Sequence, residues 1–236
     1  MFQVTKKEQF VHIQFNYLKG NLIDLQFVQH FFDTLNNLDD STRIVVIEGA
    51  PHFCVGMNLD TLHDMKVSEV ETLFSIYEQL LHKIENLPFI TIAKMTGFAM
   101  GAGAELALAC DFRWMEQKAK IGFPGVNVGF AYNTKRLPNL IPRYIAKRLV
   151  LTGSTLTSTE ALHYGIADKV VSKNQMEEEL HSFALSFMDK SPTAIQYAKA
   201  AFCEMDPSRA MALSIQTKHY QEGAAAFLEK RKPCWK

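Results

Sequence analysis

A chain of 236 residues, 47% of them apolar, is long enough to bury a sizeable core, which excludes wholesale disorder. Lysine and arginine together number 25, as do aspartate and glutamate, so no net charge favours nucleic acid or an anionic membrane as the main partner. The N-terminus lacks the apolar core of a signal peptide, and the most apolar stretch, 98–110, is too short to span a bilayer. The four cysteines form no C-x-x-C pair, so we expect free thiols in a cytoplasmic protein.

The first half of the chain predicts strands that alternate with helices. Apolar residues at every second position over 11–15 predict a half-buried strand, and apolar residues at helical spacing follow over 25–38. The run 44–47 is β-branched throughout, which is typical of a strand covered on both faces. A second amphipathic helix spans 70–84 and ends before Pro88.

Further strands are expected at 89–95, 112–115 and 120–123. This order of strands and helices predicts right-handed crossovers and a mainly parallel sheet. The rest of the chain is expected to be mostly helical. Asp206 and Pro207 form an N-cap and first turn, which predicts a helix that runs toward Phe227.

The first segment that could carry chemistry is 96–105, which runs from a strand into a helix. Its small residues let a ligand approach the backbone, and the first N–H groups of a helix can stabilise an oxyanion on a carbonyl. A small-residue turn for tight packing is the alternative. Glu105 lies among apolar residues, where a carboxylate needs partners or its pKa rises toward the range useful for acid–base work. Exposure on the polar face of the helix is the alternative for Glu105.

Two further loops are candidates. The loop 49–58 directly follows a buried strand, at the position where parallel sheets bind ligands, although an ordinary connection has the same pattern. The loop 123–133 contains Tyr132, which could donate a proton or simply pack with its hydroxyl satisfied. The histidines show no metal-ligand spacing, and no dinucleotide or phosphate-loop motif is present, so no metal and no separate cofactor is expected.

In their order and spacing, several segments resemble the crotonase (enoyl-CoA hydratase/isomerase) superfamily over essentially the whole chain. The carrying segments are 19–21 (KGN), 53–58 (FCVGMN), 97–105 with Asp111, 122–125 (GFPG), 151–153 (LTG), Gly165 with the strand 167–171, and 220–231.

The resemblance implies an α/β fold, the crotonase-like (ClpP/crotonase) spiral of ββα units over 1–190, with a helical C-terminal trimerisation region over 191–236. It implies a homo-oligomer, a trimer or a dimer of trimers. The substrate it implies is an acyl-CoA thioester, with CoA as part of the substrate.

The resemblance also implies roles for particular residues. By position, the backbone N–H groups of Met57 and Ala102 hold the thioester oxygen, and Glu105 is the acid–base candidate. Lys19 and Gly56 match residues at the CoA site. Phe227 and Lys230 match residues that contact the CoA nucleotide, often from a neighbouring subunit.

Two departures from the family pattern bear on the reaction. Family hydratases have a second glutamate where this chain has Gly125, which argues against ordinary two-glutamate hydration and against simple isomerisation. The stretch 126–133 is similar to methylmalonyl-CoA decarboxylase, in which a tyrosine matching Tyr132 lies in the active site. Three hypotheses follow: a family lyase or isomerase that works through a thioester enolate, a decarboxylase of a malonyl-type CoA, and a non-catalytic acyl-CoA-binding or scaffold protein.

Overall fold

The computed structural model describes residues 2–7 and 9–235. The strands of this part of the chain are β1 Phe2–Lys7, β2 Phe10–Phe15, β3 Ile44–Gly49, β4 Ile90–Met95, β5 Phe98–Met100, β6 Phe112–Glu116, β7 Lys120–Gly122, β8 Thr155–Thr157 and β9 Lys169–Val171. The helices are α1 Leu25–Asn36, α2 Leu59–Asp64, α3 Val67–Glu85, α4 Ala102–Leu108, α5 Leu137–Leu140, α6 Arg143–Leu151, α7 Ser158–His163, α8 Met176–Leu185, α9 Pro192–Cys203, α10 Pro207–Gln216 and α11 His219–Leu228. A 3-10 turn covers Pro124–Val128.

A six-stranded sheet with the order β1-β2-β3-β4-β6-β9 forms the centre of the fold. Every neighbouring pair is parallel except β1 and β2, which confirms the predicted parallel sheet. Helices α1 and α3 bury their apolar faces in the core on one side, and α8 packs on the other side. Both faces of β3 and β4 are therefore covered, which is why their sequences are apolar without alternation.

A second sheet of three short strands, in the order β5-β7-β8, lies beyond the carboxyl end of β4. It is tied to the loop after β3 by an isolated bridge between Cys54 and Ala99. The loops that follow two neighbouring parallel strands are therefore held together. This junction brings together 49–58 and 96–105, two of the segments that the sequence indicates as candidates for carrying chemistry.

The C-terminal helices α9, α10 and α11 pack mainly on one another. Lys199 of α9 fastens them to the core, since its Nζ donates to Asp111 Oδ2 at 2.6 Å and also bonds the Phe89 carbonyl. The expectation of one helix from Pro207 toward Phe227 is wrong, because the chain breaks at Lys218, whose φ of +62° ends the helical path. The division of the chain at 190/191 stays a prediction, and Met1 and Lys236 at its ends lie outside the described residues.

The predicted N-cap is confirmed, since Asp206 caps α10 by accepting from Arg209 N. Thr157 and Glu160 form a reciprocal capping box at the start of α7. The four cysteines are free thiols. In the described part of the chain, no helix is both long and apolar enough to cross a membrane.

Candidate active site

The loops that follow β3 and β4 run side by side and are joined by backbone hydrogen bonds. Phe53 N donates to Thr96 O at 2.9 Å, Cys54 N to Phe98 O at 3.1 Å, and Met100 N to Cys54 O at 2.9 Å. This ladder fixes the position of the first turn of α4 relative to the loop around Met57.

Two glycines permit this close approach. A Cβ on Gly103 would lie 2.1 Å from the Cys54 carbonyl oxygen, so any side chain there would push α4 away from the loop. Gly101 has a φ of +52° and turns the chain from β5 into α4. Side chains rarely adopt that conformation, which explains the glycine.

The backbone N–H groups of Met57 and Ala102 are both unpaired within residues 2–7 and 9–235. Ala102 is the first residue of α4, where an N–H has no partner inside the helix. Met57 forms a parallel bridge with Ile23 in which the flanking Gly56 O and Asn58 N make the hydrogen bonds, so the Met57 N–H points away from Ile23. Met57 is 8% exposed and Ala102 4% exposed.

Met57 and Ala102 line the same cavity of about 120 Å³. Its walls are almost entirely apolar. They comprise Val55, Gly56, Met57, Leu59, Phe74, Met100, Gly101, Ala102, Pro124, Gly125, Val128, Phe130 and Tyr132. Among these lining residues, Tyr132 alone carries a side-chain hydroxyl, and none carries a carboxylate or a cationic group.

The Tyr132 hydroxyl makes no hydrogen bond within the described ranges. Burial raises the pKa of Tyr132 well above its usual range, and the nearby charge of Glu105 raises it further. The phenol is protonated at neutral pH, as tyrosine ordinarily is, and the raised pKa makes it a weaker acid than a solvated tyrosine.

Gly125 lies next to Tyr132 in the wall. A Cβ built on Gly125 would lie 3.3 Å from Tyr132 Cβ and 3.0 Å from the Phe130 carbonyl oxygen. The segment 130–132 therefore occupies the space into which a second glutamate at this position would project.

Glu105 lies close to the cavity without lining it. It is 2% exposed, and its two carboxylate oxygens accept from Asn133 Nδ2 and Arg136 Nη1, each at 3.1 Å. Burial raises the pKa of Glu105, while the bonds from Arg136 and Asn133 oppose that rise. In this arrangement the charge of Glu105 raises the pKa of Tyr132. Proton transfer between Glu105 and a substrate stays a prediction.

A family model described as enoyl-CoA hydratase/isomerase matches residues 5–236. The chain belongs to this family. It is 33% identical over 226 residues to a protein of Arabidopsis thaliana named probable enoyl-CoA hydratase 2, mitochondrial, which covers 89% of this chain and 75% of that protein. It is 32% identical over 214 residues to the crotonyl-CoA hydratase of Syntrophomonas wolfei, covering 84% and 82% of the two chains. A crystal structure of an enoyl-CoA hydratase from Bacillus anthracis matches with a TM-score of 0.90 and 30% identity, over 100% of this chain and 98% of that one. The expected crotonase fold is confirmed, and the chain is an enzyme of the hydratase/isomerase family.

The residues that the family resemblance places at CoA fall into two groups. Gly56 lines the cavity, and the Lys19–Gly20 turn packs beside it, since Val55 N donates to Gly20 O at 3.0 Å. Lys19 is exposed in that turn. Phe227, which is 83% exposed, lies in the last turn of α11, and Lys230 follows that helix. Neither residue is among those that line the cavity.

Sequence reasoning missed the ion-pair cluster around Arg136. This guanidinium is 4% exposed and bonds three carboxylates, those of Glu78, Glu85 and Glu105, at 2.8–3.1 Å. Glu78 and Glu85 lie on α3, seven residues apart, and they resemble ordinary exposed positions of an amphipathic helix. No local pattern in the sequence marks Arg136 as their partner.

Asn133 was missed as well. Its Nδ2 donates both to Glu105 and to the Gly101 carbonyl oxygen, the latter at 3.0 Å. That carbonyl belongs to the peptide group that carries the Ala102 N–H, so Asn133 helps to fix the direction of this donor. Asn133 has a φ of +61°, a conformation that asparagine tolerates better than most residues. Across residues 2–7 and 9–235 no group of three or more His, Cys, Asp or Glu side chains is placed so that it could hold a metal ion.

Proposed function

We propose that the chain catalyses a reaction of a CoA thioester that proceeds through an enolate, with the thioester oxygen held by the Met57 and Ala102 N–H groups. The observation that carries this proposal is the pair of unpaired backbone donors in one apolar cavity. Such donors are fixed in advance, and both residues that carry them here are buried in an apolar lining. Losing one of them would cost about 3 kcal/mol of transition-state stabilisation.

In this proposal, Tyr132 supplies the proton that the enolate takes up at its α-carbon. Tyr132 lines the cavity, and its hydroxyl makes no hydrogen bond within the described ranges. A phenol is protonated at neutral pH, so it has a proton to give. Hydration by two carboxylates is not supported, because Gly125 provides none and Glu105 is engaged by Asn133 and Arg136.

Decarboxylation of a malonyl-type CoA is the reaction that this cavity favours. A carboxylate bound among the lining side chains would lose its hydration and find no cation there, and its loss as CO2 relieves that cost. The C–C bond to the carboxylate breaks, its electron pair forms the enolate at the thioester, and Tyr132 protonates the α-carbon. These reaction steps do not need a second carboxylate on the protein.

A mass-spectrometric screen tests the proposal. Purified protein is incubated with acyl-CoAs that include crotonyl-CoA and malonyl-CoA types, and products and bound ligands are both recorded. We expect CO2 loss from a malonyl-type substrate and very slow hydration of crotonyl-CoA. Tight binding without any conversion would favour the non-catalytic scaffold, and absence of acyl-CoA binding would refute the proposal.

We further propose a homo-oligomer, a trimer or a dimer of trimers, in which Phe227 and Lys230 reach the CoA of a neighbouring copy. Large apolar side chains exposed on the C-terminal helices support this, namely Phe202, Met211, Ile215, Tyr220, Phe227 and Leu228. Light scattering that finds only monomer at micromolar concentration would count against a shared site. A cytoplasmic location also remains an expectation, since several relatives are named as mitochondrial proteins.

A further inference from the structure

We propose that the cavity selects short acyl groups, of about four carbons or fewer, and that Phe74, Phe130 and Tyr132 form the aromatic wall that sets this limit. This inference rests on the proposed function, because it names the acyl group that the same cavity accepts. It concerns which thioesters enter and does not depend on which reaction follows.

The aromatic wall is built from two parts of the chain. Phe74 comes from α3, and its ring lies 5.1 Å from that of Phe130 and 5.5 Å from that of Tyr132, the latter edge to face. All three rings line the cavity. Such contacts hold rings in place more firmly than contacts between aliphatic chains, so the wall resists displacement by a longer acyl chain.

The same two parts of the chain are also held together by ion pairs. Arg136, which closely follows Tyr132, bonds Glu78 and Glu85 on α3, and Glu78 lies one turn after Phe74. Phe130 N donates to Gly125 O at 2.9 Å, which anchors the other side of the wall to the 3-10 turn. Moving the wall outward would require the ion pairs of buried Arg136 to separate.

The size of the cavity sets the expected limit. An engineered cavity of about 150 Å³ in another protein holds benzene, a six-carbon ring. The cavity here measures about 120 Å³ and is open to solvent over part of its surface, so the aromatic wall limits the acyl group on the closed side. Butyryl, crotonyl and methylmalonyl groups match this volume, and an octanoyl group exceeds it. Met57 and Met100 are flexible enough to adapt to the shape of a short group, so we expect several short acyl groups to bind.

A calorimetric titration with acetyl-, butyryl-, hexanoyl- and octanoyl-CoA tests the limit. Saturated thioesters of this kind report binding without turnover. For the native protein we expect affinity to rise by up to about fourfold for each methylene from acetyl to butyryl. We then expect octanoyl-CoA to bind at least about tenfold more weakly than butyryl-CoA, because overpacking opposes burial.

Phe74→Ala should move the preference to longer chains, with octanoyl-CoA binding at least as tightly as butyryl-CoA. Leu80→Ala is the matched control, since Leu80 is buried on the same helix and does not line the cavity. It should lower stability and leave the order of affinities unchanged. Phe130→Ala gives a second route to the same opening if Phe74→Ala does not fold.

Octanoyl-CoA binding the native protein as tightly as butyryl-CoA would overturn the proposed limit while leaving the proposed function standing. An unchanged order of affinities in both wall variants would overturn the role of the wall. If even acetyl- and butyryl-CoA fail to bind, the proposed function falls and the size limit falls with it.

Discussion

Gly125→Glu places a carboxylate where two-glutamate hydratases carry one, and the structure indicates what it would meet. The φ of Gly125 lies outside the left-handed region, so the backbone accepts a side chain. The new Cβ, however, would lie 3.0 Å from Phe130 O and 3.3 Å from Tyr132 Cβ. Both separations are shorter than the optimum for non-bonded carbon contacts, which is about 3.5–4.0 Å.

The expected change in unfolding free energy follows from this crowding. Overpacking of this kind costs about 1–3 kcal/mol of unfolding free energy. Restricting the unfolded chain by replacing glycine offsets about 0.4–1 kcal/mol of that cost. We therefore expect Gly125→Glu alone to be modestly destabilised and to gain little hydration activity, because the segment 130–132 keeps the carboxylate out of position.

The double variant Gly125→Glu with Tyr132→Gly should behave differently, since it removes the Tyr132 Cβ, which is one of the two crowding contacts, and opens the space. Crotonyl-CoA hydration, followed by the loss of enoyl thioester absorbance, should rise by about 10²–10⁴-fold over the native protein. Gly125→Ala is the matched control. It makes the same Cβ contacts, so it should show a similar loss in chemical denaturation and no gain in hydration.

Rapid hydration by the native protein would refute this reasoning. If the native protein hydrated crotonyl-CoA with a kcat of about 10 s⁻¹, which is the median for enzymes, the absence of a carboxylate at Gly125 could not be decisive. An acidic residue of α2, Asp60 or Asp64, would then have to reach the substrate. Asp64 lies instead on a separate surface cavity beside Leu25 and Ser68.

Three further predictions follow from the site. Tyr132→Phe should lower turnover by about 10²–10⁴-fold with acyl-CoA affinity unchanged, whereas Tyr144→Phe at an exposed position should change neither; equal losses of turnover and affinity would contradict a proton donor. Asn133→Gly keeps the left-handed backbone but removes the hydrogen bond from Asn133 to Glu105. Burial already raises the pKa of Glu105 above 4.5, and that bond lowers it, so the substitution should raise the pKa further. A carboxylate with a raised pKa destabilises the fold as pH rises, so the stability lost in Asn133→Gly should grow from pH 4 to pH 7 in urea unfolding, and a pH-independent loss would contradict the bond. Arg136→Met should lower the unfolding free energy by about 3–5 kcal/mol, because it leaves buried Glu105 without its cation; a loss below about 1 kcal/mol would show that the cluster is hydrated.

The sequence alone predicted the parallel sheet and the meeting of the loops that follow β3 and β4, for identifiable physical reasons. Strands covered on both faces are apolar without alternation, as in β3 and β4, and loops after neighbouring parallel strands must lie at one edge. Strand β1 was missed because it is an exposed edge strand with little apolar pattern. The spacing of apolar residues in the sequence does not predict its pairing with β2.

The parts of the site that sequence reasoning missed depend on contacts between distant segments. Arg136 reaches Glu78 and Glu105 across 58 and 31 residues, and Asn133 reaches Gly101 across 32. Such pairings follow from the fold and leave no local signature. The same holds for Tyr132 and Gly125, whose contact depends on the 3-10 turn and the return of the chain through Phe130.

The central claim is that Met57 and Ala102 hold the thioester oxygen. A crystal structure of the complex with acetoacetyl-CoA, an enolisable thioester, tests it most directly. We predict that the thioester oxygen lies within about 3.2 Å of both backbone nitrogens, with the acyl group directed toward Tyr132. A complex in which either N–H points away from that oxygen, or in which the oxygen lies more than about 3.5 Å from both nitrogens, would contradict the claim.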